Sequence, residues 1–307
     1  MVWQLRKWAN RHRLRVPAAE LSARLGKTVT PEWVESLVIP VVGLDYVEEG
    51  SLTAEFAARF YPELKEIVLV TDVPADAFGP LPAKARVVTL DYSAIMPRQH
   101  AYTAIYKSRL VKISAPLQAR YDRILMTDSD LMMLQNLQIP FADDCLLGCF
   151  RRGKMISKVR DAGVSKVPVE LSDTYRPYIW DHLNGAFLAG TKATWERLSP
   201  AWIAAYISIW SKLPDNQPPT DQLPLCCVLD HLQLYTVDLG DWVNWPVSKK
   251  MGGKTEVVPA EVIGAHGGFP LSEWRKYLQD PTTPLSFIDA NQTRKLRYLT
   301  DAEKGSQ

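Results

Sequence analysis

The chain has 307 residues, with 47% apolar and 23% charged residues and a formal net charge of +2. These proportions exclude wholesale disorder, and a near-neutral total gives no reason to expect a nucleic-acid partner. The length suits two domains or one large α/β domain, and 22 scattered prolines exclude collagen-like and low-complexity chains.

The first thirty residues differ from the rest. They carry Arg6, Lys7, Arg11, Arg13, Arg15, Arg24 and Lys27 against the single acid Glu20. Trp3, Leu5, Trp8, Leu14 and Val16 are interleaved with these cations. Two readings follow for residues 1–27. One is peripheral contact with an anionic membrane surface. The other is an arm packed on the chain's own domain or on a sister subunit, with Pro17 limiting any helix. No apolar core follows the basic residues, so the segment does not read as a secretory signal. The longest charge-free apolar stretch, Leu198–Ser211, is shorter than the roughly 20 residues of a spanning helix. A cytoplasmic protein is therefore expected, with peripheral contact at the inner face of a membrane under the first reading.

Thr30-Pro31-Glu32 predicts a helix start: a capping residue, proline at the first position and an acid in the first turn. Leu37–Val42 reads as a buried strand, and Leu52, Phe56, Ala57 and Phe60 recur at helical spacing. Ile67–Val70 and Val87–Leu90 are two more strands. Tyr102–Ala119 reads as a long helix interrupted by Pro116. Ile124–Met126 is a fourth strand, stopped by Thr127-Asp128-Ser129-Asp130, after which Leu131–Leu134 is apolar again. Cys145–Phe150, Ala186–Ala189 and Leu232–Val237 are strand-like, and Ala193–Trp210 is helical. Strands separated by helices predict βαβ units and a largely parallel sheet covered on both faces. The division expected is a basic extension over 1–33, a single domain over 34–300 and a frayed tail over 301–307. Cys145, Cys149, Cys226 and Cys227 form no C-x-x-C pair and read as reduced, buried thiols.

Asp128-Ser129-Asp130 is the sharpest chemical feature. A strand that delivers two carboxylates at i and i+2 into a loop can hold a hard cation such as Mn²⁺ or Mg²⁺. In open α/β sheets ligands bind beyond the carboxyl ends of strands, where these residues lie. The bland alternative is a strand-ending turn whose acids face water. His266 sits among Gly264, Gly267 and Gly268 and is the candidate third ligand, against a hydrogen-bonded structural role.

This stretch resembles the metal-binding strand of GT-A glycosyltransferases, especially retaining enzymes of the family 8 type, which includes glycogenin and bacterial lipopolysaccharide galactosyltransferases. The resemblance runs in order over roughly residues 36–275. Leu37–Tyr46 resembles the family's first strand and nucleotide-binding turn, which implies Val41, Val42, Gly43 and Tyr46 as nucleotide contacts, with Tyr46 a stacking partner. Lys112 lies in V-K-I-S-A-P-L as a diphosphate-binding residue does in the family; Lys107 and Arg109 are its rivals. Asn184-Gly185-Ala186 resembles the N-A-G strand that faces the donor sugar, with two residues exchanged. Thr220-Asp221-Gln222 resembles the family's D-Q pair, although Thr220-Asp221 also suits a helix cap. Ala265-His266-Gly267-Gly268 resembles the late strand whose histidine completes the metal site. The family's following K-P-W is not present; Arg275 or Lys276 stands nearest.

The resemblance implies a GT-A, Rossmann-like fold with a small second sheet near the D-x-D loop. It also implies transfer of a sugar, with retention, from a UDP-sugar to a glycan or lipid-linked acceptor. Asp128, Asp130 and His266 would hold Mn²⁺ or Mg²⁺. Lys112, Ser129 and Gly267 would contact the nucleotide diphosphate. Asp221, Gln222 and Asn184 would face the reacting sugar. A metal and a cation neutralise the charge growing on a diphosphate leaving group. An inverting enzyme would instead need a carboxylate base, for which Asp221 and Asp181 are candidates. Trp180, Trp242, Trp245 and Trp274 are candidates for stacking on sugars, and the basic stretch Arg151–Lys166 for a lid or an acceptor contact. The rival readings are a haloacid-dehalogenase-type phosphatase, a sugar nucleotidyltransferase and a catalytically silent glycan-binding domain.

Overall fold

The computed structural model describes residues 15–92, 103–152, 181–210, 220–246, 261–267 and 271–282. The chain opens with β1 (Arg15–Pro17) and the short helix α1 (Leu21–Leu25). Then come β2 (Glu32–Trp33), β3 (Ser36–Val41), α2 (Val47–Phe60), β4 (Glu66–Thr71) and β5 (Ala85–Thr89). The middle holds α3 (Thr103–Ser114), β6 (Arg123–Thr127), β7 (Leu131–Met133), β8 (Gln138–Ile139) and β9 (Cys145–Arg152). The remainder is β10 (Asp181–Thr191), α4 (Lys192–Trp210), α5 (Gln222–His231), β11 (Tyr235–Asp238), β12 (Trp245–Pro246), β13 (Gly264–His266) and α6 (Leu271–Gln279).

Eight strands form the central sheet in the order β1-β11-β9-β10-β6-β3-β4-β5. Every neighbouring pair is parallel except those made by β10, which runs antiparallel to both β6 and β9. The mostly parallel α/β sheet expected from the alternation is therefore present. Its side chains divide between two layers by the two-residue period of a strand. Leu37, Ile39, Ile67, Leu69 and Leu125 enter one core with Ala54, Ala57 and Tyr61 of the α2 region. Val38, Val68, Val70, Ile124 and Met126 enter the other with Tyr106, Trp195, Trp202 and Leu225 from α3, α4 and α5. Both faces are covered, so the strands read as continuous apolar runs rather than alternating ones.

The order reverses at β3. Its βα partners β4 and β5 lie on one side, and β6 lies on the other. Such a switch point opens a crevice at the carboxyl ends of the two central strands. A separate sheet of β12, β13 and β7 begins directly after the D-S-D loop. Among the described residues no helix is long and apolar enough to cross a membrane.

Several local expectations shift. Thr30-Pro31-Glu32 starts no helix: Glu32 and Trp33 pair with Ile139 and Gln138. The residues that follow, Val34–Val41, are all buried and lead straight into β3, so no helical face exists to sustain a helix. The long helix ends at Ser114 and tightens to a 3₁₀ turn over Ala115–Gln118, because Pro116 lacks the donor that α-helical bonding needs. The strand expected at Leu232–Val237 starts at Tyr235, after Gln233 takes a positive φ of 54°. Within the basic N-terminal segment, Arg15–Pro17 joins the sheet edge beside β11, and Val16 is buried. Trp3, Leu5, Trp8 and Leu14, and the tail 301–307, lie outside the described residues. All four cysteines are buried and none forms a disulfide.

Two buried carboxylates tie the amino-terminal ends of the parallel strands. Glu66 accepts from Ser36 Oγ at 2.9 Å, from Arg86 Nε at 3.0 Å and from the Arg120 amide at 2.6 Å. Glu35 is paired with Lys65 at 2.7 Å and Arg123 at 2.9 Å. Burial raises the Glu35 pKa, but the Lys65 hydrogen bond and Arg123 outweigh it and hold it below the usual glutamate range. A depressed folded-state pKa adds stability above the unfolded value and loses it as pH falls through the folded one. Glu35→Gln should therefore lower stability by about 1–3 kcal/mol at neutral pH. Thermal melts of both proteins should converge as the pH is lowered past the point where Glu35 is protonated in the folded chain; a gap that persists unchanged would contradict the ion-pair account.

Candidate metal and diphosphate site

Three elements deliver the candidate metal ligands. Asp128 follows β6, Asp130 precedes β7 and His266 ends β13. Antiparallel pairing of β13 with β7 sets His266 opposite Leu131, one residue past Asp130. The Gly267 amide then donates to the Asp130 carbonyl at 2.8 Å, which closes the loop. His266 Nε2 stands 3.2 Å from Asp130 Oδ1 and 3.8 Å from Asp128 Oδ2. One ligating atom of each residue lies within 4.8 Å of the others. Two carboxylates and an imidazole are a donor set that suits Mn²⁺ and Mg²⁺, the first more readily accepting nitrogen. The three residues expected from the sequence are thus brought together.

The other oxygen of Asp128 faces a cation. Lys112 Nζ lies 2.5 Å from Asp128 Oδ1 and 3.3 Å from Asp221 Oδ2. Its side chain is only 5% exposed, and that of Asp221 only 8%. Burial pushes the Lys112 pKa down, but Asp128 and Asp221 more than reverse it, so the ammonium is held charged. Burial pushes Asp221 up, but Lys112 and then Arg109 outweigh it and hold the carboxyl at about 2. Arg109 Nε approaches Asp221 Oδ1 at 3.8 Å. Lys107 is turned elsewhere, to Asp72 at 2.8 Å.

Asn184, Gly185 and Gln222 complete this wall. β10 shifts register against β9 between Leu183 and Leu188, a bulge that takes residues 184–187 out of the pairing with β9 while Phe187 stays paired with Thr127 of β6. Asn184 Oδ1 accepts from the Ala186 amide at 3.2 Å and from Gln222 Nε2 at 3.4 Å. Its Nδ2 is buried and has no hydrogen-bond partner among the described residues. A Cβ on Gly185 would stand 3.3 Å from Asp221 Oδ2 and 3.4 Å from Lys112 Nζ. Glycine at 185 therefore lets the backbone close on the buried pair. Asp221 sits just before α5, and its carbonyl accepts from Trp202 Nε1 at 2.8 Å.

The turn after β3 lies at the neighbouring strand end. Val41 is buried and Val42 half-buried, and the Gly43 amide donates to Asp72 Oδ1 at 2.8 Å. Tyr46 closes a short 3₁₀ turn and packs on the first core cluster. Ser129 is held from α2: its Oγ donates to Glu49 at 2.8 Å, and its carbonyl accepts from Thr53 Oγ1 at 2.5 Å.

The other candidates have different surroundings, although Trp245 pairs with Ala265, next to His266. Trp274 is 2% exposed and packs edge-on against Phe56, a core role. Trp242 and Trp245 stack at 6.2 Å, with Trp242 exposed. Arg275 pairs with Glu48 at 3.2 Å and Lys276 with Glu273 at 2.7 Å on the surface. A groove of about 650 Å³ runs past Leu137, Ile139, Trp242 and Ile263, and none of the cluster residues lines it. Gly268, Trp180 and residues 153–166 lie outside the described residues, and no side-chain contact of Asp181 is described.

Glu49, Thr53 and Gly185 were not among the residues singled out as site residues. Thr53 did carry a signal: a hydroxyl at a core position of an otherwise apolar helical stripe calls for a buried acceptor. Gly185 lies in the Asn184-Gly185-Ala186 motif, but its close approach to Asp221 and Lys112 depends on where α3 and α5 come to lie.

No protein-family model matches the chain, and no curated protein matches it.

Lys112→Met should leave Asp128 and Asp221 facing each other with only the more distant Arg109 as a nearby cation. The expected loss is about 3–5 kcal/mol of unfolding free energy in EDTA. Adding Asp221→Asn should recover part of it. Urea unfolding of the single and double variants measures both, and a single variant as stable as the wild type would show that the pair is not what holds this wall together.

Proposed function

We propose that this chain is a metal-dependent glycosyltransferase of GT-A fold. It moves a sugar from a nucleotide-diphosphate sugar, a UDP-sugar by the resemblance, to a glycan or lipid-linked acceptor, with retention at the anomeric carbon. The observation that carries the reading is the convergence of Asp128, Asp130 and His266 beside buried Lys112, at the carboxyl end of β6 where the strand order reverses. The small sheet that follows the D-S-D loop supports the finer fold reading.

Asp128, Asp130 and His266 would hold Mn²⁺ or Mg²⁺. A bound ion of this kind offsets negative charge on a diphosphate leaving group. Lys112 adds a fixed positive charge at the same place, already dehydrated and oriented by Asp128 and Asp221. Preorganised charge of this sort favours the transition state because no reorganisation is needed when the reaction occurs. Asn184 presents a buried amide donor that a sugar hydroxyl or phosphate oxygen would satisfy. Gln222 fixes the orientation of that amide through Asn184 Oδ1.

In the transfer, the bond from the anomeric carbon to the phosphate oxygen breaks and a bond to the acceptor oxygen forms. The acceptor's proton passes to the departing phosphate. Asp221 is a poor candidate for a protein base, because a carboxyl held at about 2 and paired with Lys112 has little tendency to take a proton near neutral pH. This argues against Asp221 as the base of an inverting mechanism.

Nucleotide sugars screened with Mn²⁺ should raise the melting temperature of the full chain by mass action. A UDP-sugar is expected to give the largest shift and to release UDP slowly with water as acceptor. Asp130→Ala should remove turnover without unfolding the protein, and His266→Ala should weaken Mn²⁺ and UDP binding together. Full turnover by Asp130→Ala in EDTA would overturn the metal role, and hydrolysis of simple phosphate esters in place of nucleotide sugars would point to the phosphatase.

A further inference from the structure

Helix α2 reaches the D-S-D loop with two polar side chains four residues apart, which places them on one helical face. Glu49 Oε1 accepts from Ser129 Oγ at 2.8 Å. Thr53 Oγ1 donates to the Ser129 carbonyl at 2.5 Å and lies 3.4 Å from Met132 Sδ. Thr53 is fully buried.

The same helix has little freedom to move. A Cβ on Gly50 would stand 2.3 Å from Val41 Cγ2, so α2 rests directly on the end of β3. Leu52 and Phe56 pack with Met132 of β7, Ala265 of β13 and Trp274 of α6. The helix is thereby fixed against the strand before the Gly43 turn and against both strands that flank the candidate ligands. Ser129 is the residue between Asp128 and Asp130. Its carbonyl belongs to the peptide plane that enters Asp130, and its side chain leaves the backbone between the two carboxylates. Holding both ends of Ser129 sets how the two aspartates are presented.

We propose that Glu49 and Thr53 are positioning residues that hold Ser129 and so fix the spacing of Asp128 and Asp130 for a divalent cation. Neither is itself assigned as a ligand. Glu49 acts by accepting a hydrogen bond and Thr53 by donating one, so variants that retain those groups retain the effect. The inference rests on the metal reading given above. Outer groups that orient ligands in this way change metal affinity by about 10–100-fold when removed.

Isothermal titration of the full chain with Mn²⁺ alone, without nucleotide, tests it. Thr53→Val and Glu49→Ala should each weaken Mn²⁺ binding by about tenfold. Thr53→Ser and Glu49→Gln should stay close to the wild type, a rescue that mere loss of packing or of charge would not give. Circular dichroism in EDTA checks that each variant is folded, and the half-exposed Glu49 pair keeps the test intact should Thr53→Val unfold. Equal affinity in wild type, Thr53→Val and Glu49→Ala would overturn the positioning roles and leave the metal reading standing. Equal weakening by Glu49→Ala and Glu49→Gln would overturn the hydrogen bond as Glu49's means of action. A wild-type chain that takes up no Mn²⁺ would overturn the metal reading and these roles with it.

Discussion

A buried ammonium needs compensating charge, and Lys112 finds it in two carboxylates from different parts of the chain. Much else in the described structure follows from that constraint. Asp128 comes from the end of β6, Asp221 from the start of α5 and Lys112 from the last turn of α3. The three elements must meet within ion-pairing distance, because a buried charge without a partner costs several kcal/mol. The β10 bulge and Gly185 let the backbone close over the pair. The result is a wall with fixed positive charge beside a loop with two carboxylates and an imidazole.

The second organising element is α2. Helices that follow the first strand of a doubly wound sheet normally pack on one face of that sheet. This one does so, with Ala54 and Ala57 in the first core. Its Leu52 and Phe56 also enter a third core with Met132, Ala265 and Trp274. One helix thus touches the large sheet, the small sheet and the loop between them. That arrangement backs the three-residue D-S-D turn between β6 and β7 with a packed helix. It also explains the placement of α6, whose Trp274 and Tyr277 lie against Phe56.

The candidate ligands and the buried cation lie together at a switch point of the sheet. The arrangement of charge narrows the proposed reaction. Asp221 is committed to Lys112, so its part is electrostatic and structural rather than that of a base. Asn184 keeps one amide donor buried and unpartnered among the described residues, an arrangement that a polar ligand would complete. Lys107, a rival to Lys112 in sequence as a diphosphate contact, is instead paired with Asp72 beside the Gly43 turn.

The sequence by itself determined the strand runs Leu37–Val42, Ile67–Val70 and Ile124–Met126, because strands buried on both faces need unbroken apolar residues whatever surrounds them. It also determined the D-S-D loop, whose carboxylates are local to one turn. It misjudged Thr30-Pro31-Glu32, where the capping pattern was sound but the following residues were claimed by a sheet. Only the tertiary structure decided which cation is buried. Lys107, Arg109 and Lys112 share one helix, and their roles depend on the distances to Asp72 and Asp221, which come from β4 and the start of α5. It likewise decided that His266 stands beside Asp130, through pairing of strands more than a hundred residues apart in the chain, and that Glu49 and Thr53 hold Ser129. Local sequence fixes backbone preference and burial period; the meeting of charges from distant segments is set by packing, and packing is a property of the whole chain.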